Sequence, residues 1–159
     1  MGVVMNRRVS LLAVVLLLIG GYTVYGANPG GNPQNSRKAI NAPEKQVQAP
    51  FSDAILAGDT LYIAGKIGLD PKTGKPPDQI EDELRILFDS EKATLKQAGM
   101  TMDDLVYVQV FCTDLSLFDK FNAAYKANFT KDYPARAFIG AGSLLRGGHF
   151  ELQAIAVKR

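Results

Sequence analysis

Residues 105–112 read Leu-Val-Tyr-Val-Gln-Val-Phe-Cys, and this stretch limits the folds that the chain can adopt. Its β-branched and aromatic residues predict a strand. Successive side chains of a strand point to opposite faces, so the valines share one face and the leucine, tyrosine and phenylalanine share the other. Gln109 is the polar exception. A strand that is apolar on both faces has to be covered on both faces.

On the N-terminal side of this strand, the pattern predicts a hairpin followed by a helix. Two short apolar runs, residues 52–57 and 60–65, are joined by Gly58-Asp59, which is typical of a tight turn. Asp78 and Glu81 form a capping-box pattern that predicts a helix start, and Gly99 predicts its end. Apolar residues recur between them at helical spacing. They are Ile80, Leu84, Leu87, Phe88, Leu95 and Ala98.

On the C-terminal side, a second helix and two strands are predicted. Ser116, with Asp119 three residues later, predicts a helix start. An aromatic stripe follows at helical spacing, consisting of Phe118, Phe121, Tyr125 and Phe129. Residues 136–142 and 149–157 then have the composition of strands.

The predicted order of elements is β-β-α-β-α-β-β, which indicates an α+β fold with one sheet. Two helices can cover only one face of such a sheet. The other face would leave a large apolar surface in water, so we expect a second subunit to bury it. The residues therefore predict an oligomer.

The first 27 residues have the order of a secretory signal peptide. Arg7 and Arg8 precede an apolar run, residues 9–19, which is followed by small and turn-forming residues. The run is short for a membrane-spanning helix, which needs about 20 residues. If it extends to Tyr25, an uncleaved N-terminal anchor is the alternative, and it would be the chain's contact with a membrane. We therefore predict an exported protein, periplasmic or secreted.

Two further regions follow the predicted signal. Residues 28–48 are rich in Asn, Gly and Pro and contain few large apolar side chains, which predicts a flexible linker. Residues 49–159 are predicted to form the folded domain.

Charge and cysteine content exclude some classes of function. The chain has 18 Lys plus Arg and 16 Asp plus Glu, and two of its arginines lie in the first 27 residues. The remainder is neutral and has no basic stripe, so we expect no nucleic-acid partner. Cys112 is the single cysteine, which is consistent with a buried, unreactive thiol. His149 is the single histidine and has no metal-ligand spacing around it, so no metal site is predicted.

A few polar residues stand out as candidate ligand contacts. Arg136 begins an otherwise small and apolar strand, where it needs an anionic partner, either a surface acid or a ligand carboxylate. Asn122 lies beside the aromatic stripe of the second helix, and it forms either a structural hydrogen bond or a ligand contact. Glu151 and Gln153 share the more polar face of the last strand, which is either an exposed edge or a pocket wall.

Six segments between Pro50 and Arg159 resemble landmark segments of the RidA/YjgF proteins, in order and at suitable spacing. They are Phe51-Ser52-Asp53-Ala54, Tyr62-Ile63-Ala64-Gly65-Lys66-Ile67, Asp70-Pro71-Lys72-Thr73-Gly74, Phe111-Cys112-Thr113-Asp114-Leu115, Tyr133-Pro134-Ala135-Arg136-Ala137 and Glu151-Leu152-Gln153-Ala154-Ile155-Ala156-Val157. The resemblance implies a chorismate-mutase-like fold, a mixed sheet with two helices on one face. It also implies a homotrimer with ligand clefts between subunits. The implied activity is hydrolysis of 2-imino or enamine acids to 2-oxo acids and ammonia, without a cofactor.

The resemblance also assigns substrate-binding residues. Arg136 corresponds to the family's carboxylate-binding arginine, and Asn122 to its helix asparagine. Phe51 stands in place of a tyrosine, Ala64 in place of a serine and Phe138 in place of a small thiol residue.

The family's strand-end glutamate, which holds or activates water, is assigned to Gln153 in this chain. Glutamine can position a water molecule but cannot accept its proton as a general base. Phe138 is expected to narrow the cleft. The first hypothesis is therefore a cofactor-independent 2-iminobutanoate/2-iminopropanoate deaminase-like hydrolase, weak or with a shifted substrate. The alternative is a non-catalytic trimer that binds a small carboxylate or acts like a chaperone outside the cytoplasm.

Overall fold

The computed structural model describes residues 36–42 and 49–159. Their strands are β1 (Arg37–Ile40), β2 (Ala54–Ala57), β3 (Thr60–Ile67), β4 (Leu105–Cys112), β5 (Ala135–Gly140) and β6 (Phe150–Val157). Their α-helices are α1 (Ile80–Gln97) and α2 (Phe118–Lys126). The strands form one sheet in the order β1-β2-β3-β6-β4-β5. Only β4 and β5 pair in parallel, so the sheet is mixed. The predicted α+β class is confirmed.

The predicted hairpin is confirmed, and a further strand extends it. Gly58 lies in the turn with φ 60°, a left-handed conformation that suits glycine. Strand β1 pairs antiparallel with β2, so the predicted linker over residues 28–48 is wrong for Arg37–Ile40. Ile40 alone of these four side chains is buried, which is too short a pattern to recognise in sequence.

Residues 1–35 and 43–48 lie outside the described residues, and with them the predicted signal peptide or anchor. Within the described ranges, no helix is long and apolar enough to cross a bilayer.

Helix α1 buries the predicted apolar stripe but begins differently. Its N-cap is Gln79, whose carbonyl oxygen accepts hydrogen bonds from the amides of Asp82 and Glu83. The predicted capping box of Asp78 and Glu81 is therefore wrong, and the Glu81 carboxylate instead pairs with Lys120 at 3.1 Å. The end of the helix is as predicted, because Gly99 adopts φ 73° directly after the C-cap.

Strand β4 has the predicted bounds but contains an irregularity near its start. The register with β6 shifts between Leu105 and Tyr107. Because of this bulge, Leu105 is buried on the same side as Val108, while Val106 is 44% exposed. The prediction that all the valines share a face is therefore wrong for Val106. A bulge depends on pairing with a distant strand, which alternation within β4 does not reveal.

Helix α2 is shorter than predicted. A 3₁₀ turn, Leu115–Leu117, precedes it, and the Asp114 carboxylate caps this turn by accepting from the Ser116 amide at 2.9 Å. The helix ends at Lys126, so Phe129 lies beyond it, although its ring still packs on Tyr125 at 4.7 Å between centroids. The aromatic stripe of α2 therefore extends to Phe129, although the helix itself has ended.

The sheet has one covered face and one uncovered face in the described chain. Alternate residues of β6, from Phe150 to Ala156, are buried with α1 and α2 in the core. On the opposite face, which we call the open face, large apolar side chains are exposed. Tyr62 is 50% exposed, Tyr107 37% and Ile139 37%. This arrangement matches the expectation of a sheet with helices on one side.

Candidate functional site

Arg136 lies on the edge strand β5, on the face covered by α2. It is in register with the buried Val108 of β4, which directs its side chain toward the helix. One guanidinium nitrogen donates to Asn122 Oδ1 at 2.8 Å. The guanidinium carbon lies 4.6 Å from the centroid of the Tyr125 ring. A hydrogen bond and a cation–π contact thus hold the arginine in one orientation.

Phe138 is the next residue of β5 on the same face. Its ring meets Phe118 edge-on at 4.9 Å and Phe121 at 5.3 Å between centroids. The ring therefore belongs to the aromatic cluster under α2, and its centroid lies 5.7 Å from the Arg136 guanidinium. Phe138 supports the apolar surroundings of the arginine from beside the cavity.

A cavity of about 300 Å³ opens beside Arg136. Its lining residues are Asn122, Tyr125, Lys126, Tyr133, Pro134 and Arg136. We call this region the arginine half-site. Two of its side chains are cationic and none is acidic, so it favours an anionic ligand. It contains the predicted pair Arg136 and Asn122.

A second cavity, of about 370 Å³, lies beside β3 and the start of β6. Its lining residues are Phe51, Ala64, Gly65, Ile67, Leu69, Leu145, Arg146 and Glu151. We call it the carboxylate half-site, because Glu151 is its acidic residue. A Cβ atom at Gly65 would lie 1.9 Å from Glu151 Oε1, so the missing side chain at Gly65 leaves the room that this carboxylate occupies. The half-site contains the predicted residues Phe51 and Ala64.

Gln153, the residue predicted to position water, does not line the carboxylate half-site. It is exposed on the open face, where its amide nitrogen donates to Gln109 Oε1 at 2.9 Å. Glu151 lies two residues earlier on the same face of β6, about 7 Å away along the strand. The sequence analysis named Glu151 with Gln153 as a possible pocket wall but assigned the water-holding role to Gln153, although Glu151 is the acidic residue of that face.

The turn before Glu151 is held by a buried carboxylate of α1. Glu83 is fully buried, and its Oε1 accepts from the amides of His149 at 2.7 Å and Phe150 at 3.2 Å. Its Oε2 lies 2.7 Å from His149 Nδ1. His149 therefore ties this turn to the helix. Within residues 36–42 and 49–159, no three His, Cys, Asp or Glu side chains are grouped to hold a metal ion.

The two half-sites lie on opposite faces of one sheet. Arg136 points to the helix-covered face, in register with Val108 and, through β4, with the buried Ala154. Glu151 is on the other face of β6, which alternates with the buried residues. One chain thus keeps the Arg136 guanidinium and the Glu151 carboxylate on opposite faces of the sheet. A ligand that contacts both groups needs two copies of the chain.

The fold and these two half-sites define a small α+β protein equipped for an anionic ligand. The family model described as Endoribonuclease L-PSP matches residues 39–158, almost all of the described chain. The chain belongs to this family, the RidA/YjgF family, and the resemblance in the sequence is confirmed.

Individual relatives agree with this assignment. A RutC family protein of Pyrococcus horikoshii is 38% identical over 110 residues, covering 69% of this chain and 87% of the relative. The 2-iminobutanoate/2-iminopropanoate deaminase of Escherichia coli K12 is 34% identical over 113 residues, covering 69% and 88%. The crystal structure of E. coli TdcF with bound serine has a TM-score of 0.67 at 27% identity, covering 81% of this chain and 97% of TdcF.

Proposed function

We propose that the protein hydrolyses 2-imino or enamine acids to 2-oxo acids and ammonia, without a cofactor, in clefts between the subunits of a homotrimer. The observation that carries the proposal is the pair of complementary half-sites, a guanidinium with its cavity and a carboxylate with its cavity. Relatives named 2-iminobutanoate/2-iminopropanoate deaminase support the reaction class. The bound serine of TdcF supports a ligand that carries a carboxylate next to a nitrogen-bearing carbon.

Arg136 is proposed to bind the substrate carboxylate. Its planar donors suit a carboxylate in a two-point contact. One guanidinium nitrogen already donates a hydrogen bond to Asn122 Oδ1. The fixed orientation matters, because a bound carboxylate places the adjacent C2 carbon at a defined distance from the cleft wall.

Glu151 of a neighbouring subunit is proposed to act as general base, in place of Gln153. Its carboxylate takes a proton from water while the water oxygen bonds to C2 and the C=N π electrons move to nitrogen. Glu151 returns this proton to the nitrogen, the hydroxyl proton follows it there, the C–N bond breaks, and C2 becomes the ketone of the 2-oxo acid. Ammonia leaves, so water is the only co-reactant.

Two residues that differ from the family pattern support a substrate preference unlike that of the named relatives. Phe51 and Ala64 remove hydroxyl groups from the carboxylate half-site, and Ile67, Leu69 and Leu145 make its wall apolar. A site with fewer polar contacts favours a substrate with an apolar side chain.

The family description names an endoribonuclease, but the charge balance favours a small ligand. Beyond residue 27 the chain has equal numbers of basic and acidic residues. An RNA backbone is normally bound by a basic surface.

The test is the decay of an imino acid, produced in place by an amino-acid oxidase and followed as 2-oxo acid release. Glu151→Gln is expected to lower kcat on the order of 10²–10⁴-fold while binding of a 2-oxo acid persists. Arg136→Ala is expected to weaken that binding by about 1.5–3 kcal/mol. Gln153→Glu is the matched control, because it adds a carboxylate on the same strand face outside the half-site.

The result that contradicts the proposal is equally specific. If the wild-type protein does not speed imine decay, it is not a deaminase. A 2-oxo acid that still raises its melting temperature would then leave the alternative, a small-carboxylate-binding protein. If Gln153→Glu raises the rate and Glu151→Gln leaves it unchanged, Gln153 occupies the catalytic position instead of Glu151.

We also propose that the protein is exported, on the charged and apolar order of residues 1–27. Fusion of residues 1–30 to a reporter that works only outside the cytoplasm is expected to be active. An intact but silent fusion would remove the proposal.

A further inference from the structure

The arginine half-site contains a buried hydroxyl group that the proposed reaction does not use. Tyr125 is 4% exposed and lines the cavity with Arg136. Among the described residues, its hydroxyl has no hydrogen-bond partner. Burial raises the pKa of Tyr125 to about 12, so this group is a neutral donor. A buried hydroxyl without a partner destabilises the fold, and a polar ligand atom in the cavity would offset this cost.

The same cavity has an exposed aromatic wall. Tyr133 is 58% exposed, and it lines the cavity together with Pro134. Its ring is held from behind by Phe129, at 5.6 Å between centroids and nearly perpendicular, and by Tyr125 at 6.4 Å. A ring that is fixed on one side and open on the other is a suitable surface for stacking.

The remaining wall of the cavity is positively charged. Arg136 and Lys126 line the cavity, and the described lining residues include no acid to neutralise them. The Arg136 guanidinium is itself within 6 Å of four aromatic rings, those of Phe118, Phe121, Tyr125 and Phe138. The cavity therefore combines cationic groups with apolar aromatic surface. Its volume of about 300 Å³ is at the lower end of the range for small organic ligands.

Resting on the proposed function, we infer that the substrates are 2-imino acids with aromatic side chains. Arg136 and the Tyr125 hydroxyl bind the carboxylate, and the substrate ring stacks on Tyr133. Tyr133 is then the specificity-determining residue, and Tyr125 is a carboxylate contact shared by all substrates.

The test compares two imines on the full-length protein, one produced from phenylalanine and one from alanine. The expected kcat/KM is at least tenfold higher for the phenylalanine imine. Tyr133→Ser is expected to remove most of this preference, and Tyr133→Phe to keep it, because the ring is retained. Tyr125→Phe keeps the ring under Arg136 but removes the hydroxyl, and it is expected to raise KM for both imines alike. Melting temperatures establish that each variant is folded.

A parallel binding measurement separates this inference from the proposed function. Phenylpyruvate and pyruvate, the stable products, are titrated into the wild-type protein by calorimetry, and phenylpyruvate is expected to bind at least tenfold more tightly. If neither imine is hydrolysed but phenylpyruvate binds more tightly, the proposed reaction fails and the assigned ligand class stands. If imines are hydrolysed without preference for the aromatic one, the inference is overturned and the reaction stands. The inference is also overturned if pyruvate binds as tightly as phenylpyruvate.

Discussion

Two residues on β6 have different surroundings although they are only two positions apart. Glu151 and Gln153 lie on the same strand face, yet only Glu151 lines the carboxylate half-site. Alternation along a strand has a period of two, so it assigns both residues to one face and cannot choose between them. The choice depends on Gly65, which leaves room for the Glu151 carboxylate.

Substitution of Gly65 with alanine is expected to abolish the proposed imine hydrolysis with little effect on folding. The added Cβ would lie 1.9 Å from Glu151 Oε1, which is the far end of a flexible side chain and can move away. A displacement of about 1 Å from the productive position can lower a rate about 100-fold. Steady-state imine hydrolysis and thermal unfolding check the two expectations.

Gly142→Ala is the matched control, because an added Cβ there meets nothing within 4 Å among the described residues. Full activity in Gly65→Ala would show that the carboxylate position at Gly65 does not matter for the reaction.

At the scale of the element, helix α1 carries two fully buried glutamates with different surroundings. Glu83 accepts hydrogen bonds from the turn before Glu151. Glu91 has no hydrogen-bond partner for either oxygen among the described residues. Burial raises its pKa from 4.5 to about 8, against the opposing charge of Lys66. Glu91 is therefore protonated in the folded protein at neutral pH.

The stability of the fold is consequently expected to fall as the pH rises. Between pH 4.5 and about 8 the folded state retains the Glu91 proton while the unfolded state releases it. The free energy of unfolding is at its maximum below pH 4.5, decreases between pH 4.5 and about 8, and levels off above pH 8. The loss is on the order of 3–5 kcal/mol. Urea unfolding at pH 5, 7 and 9 measures it.

Glu91→Gln is expected to flatten this pH dependence, because glutamine does not titrate. Asp89→Asn, an exposed acid on the same helix, is the control and should keep the wild-type slope. An identical pH dependence in wild type and Glu91→Gln would exclude Glu91 as its cause.

At the scale of the whole molecule, the opposite positions of the half-sites make assembly part of the proposed mechanism. The open face presents exposed side chains such as Tyr62, Tyr107 and Ile139 for burial by another subunit. Light scattering is expected to give the mass of a trimer.

Mixing two impaired variants tests the shared cleft directly. Arg136→Ala retains Glu151, and Glu151→Gln retains Arg136, so a mixed trimer contains clefts in which both groups are intact. Co-expression in equal amounts is expected to restore about a quarter of wild-type activity if subunits assemble at random. Each variant co-expressed with itself is the control. No recovery in verified mixed trimers would show that each cleft uses both groups of one chain.

Local signals in the sequence were sufficient for most of the fold. Turn chemistry predicted the hairpin at Gly58 and the end of α1 at Gly99, and both are confirmed. Strand β4 and the apolar face of β6 followed from residue types and alternation. Each of these features depends on residues that are adjacent in the chain.

By itself the sequence determined the α+β class and the family, and it singled out Arg136 and Asn122, which are hydrogen-bonded in the structure. Only the tertiary structure decided that Arg37–Ile40 pairs as a strand, that β4 is bulged and that Glu151, not Gln153, lines the carboxylate half-site. Pairing, bulges and cavities arise from hydrogen bonds and packing between distant segments. No local period or turn residue encodes such contacts.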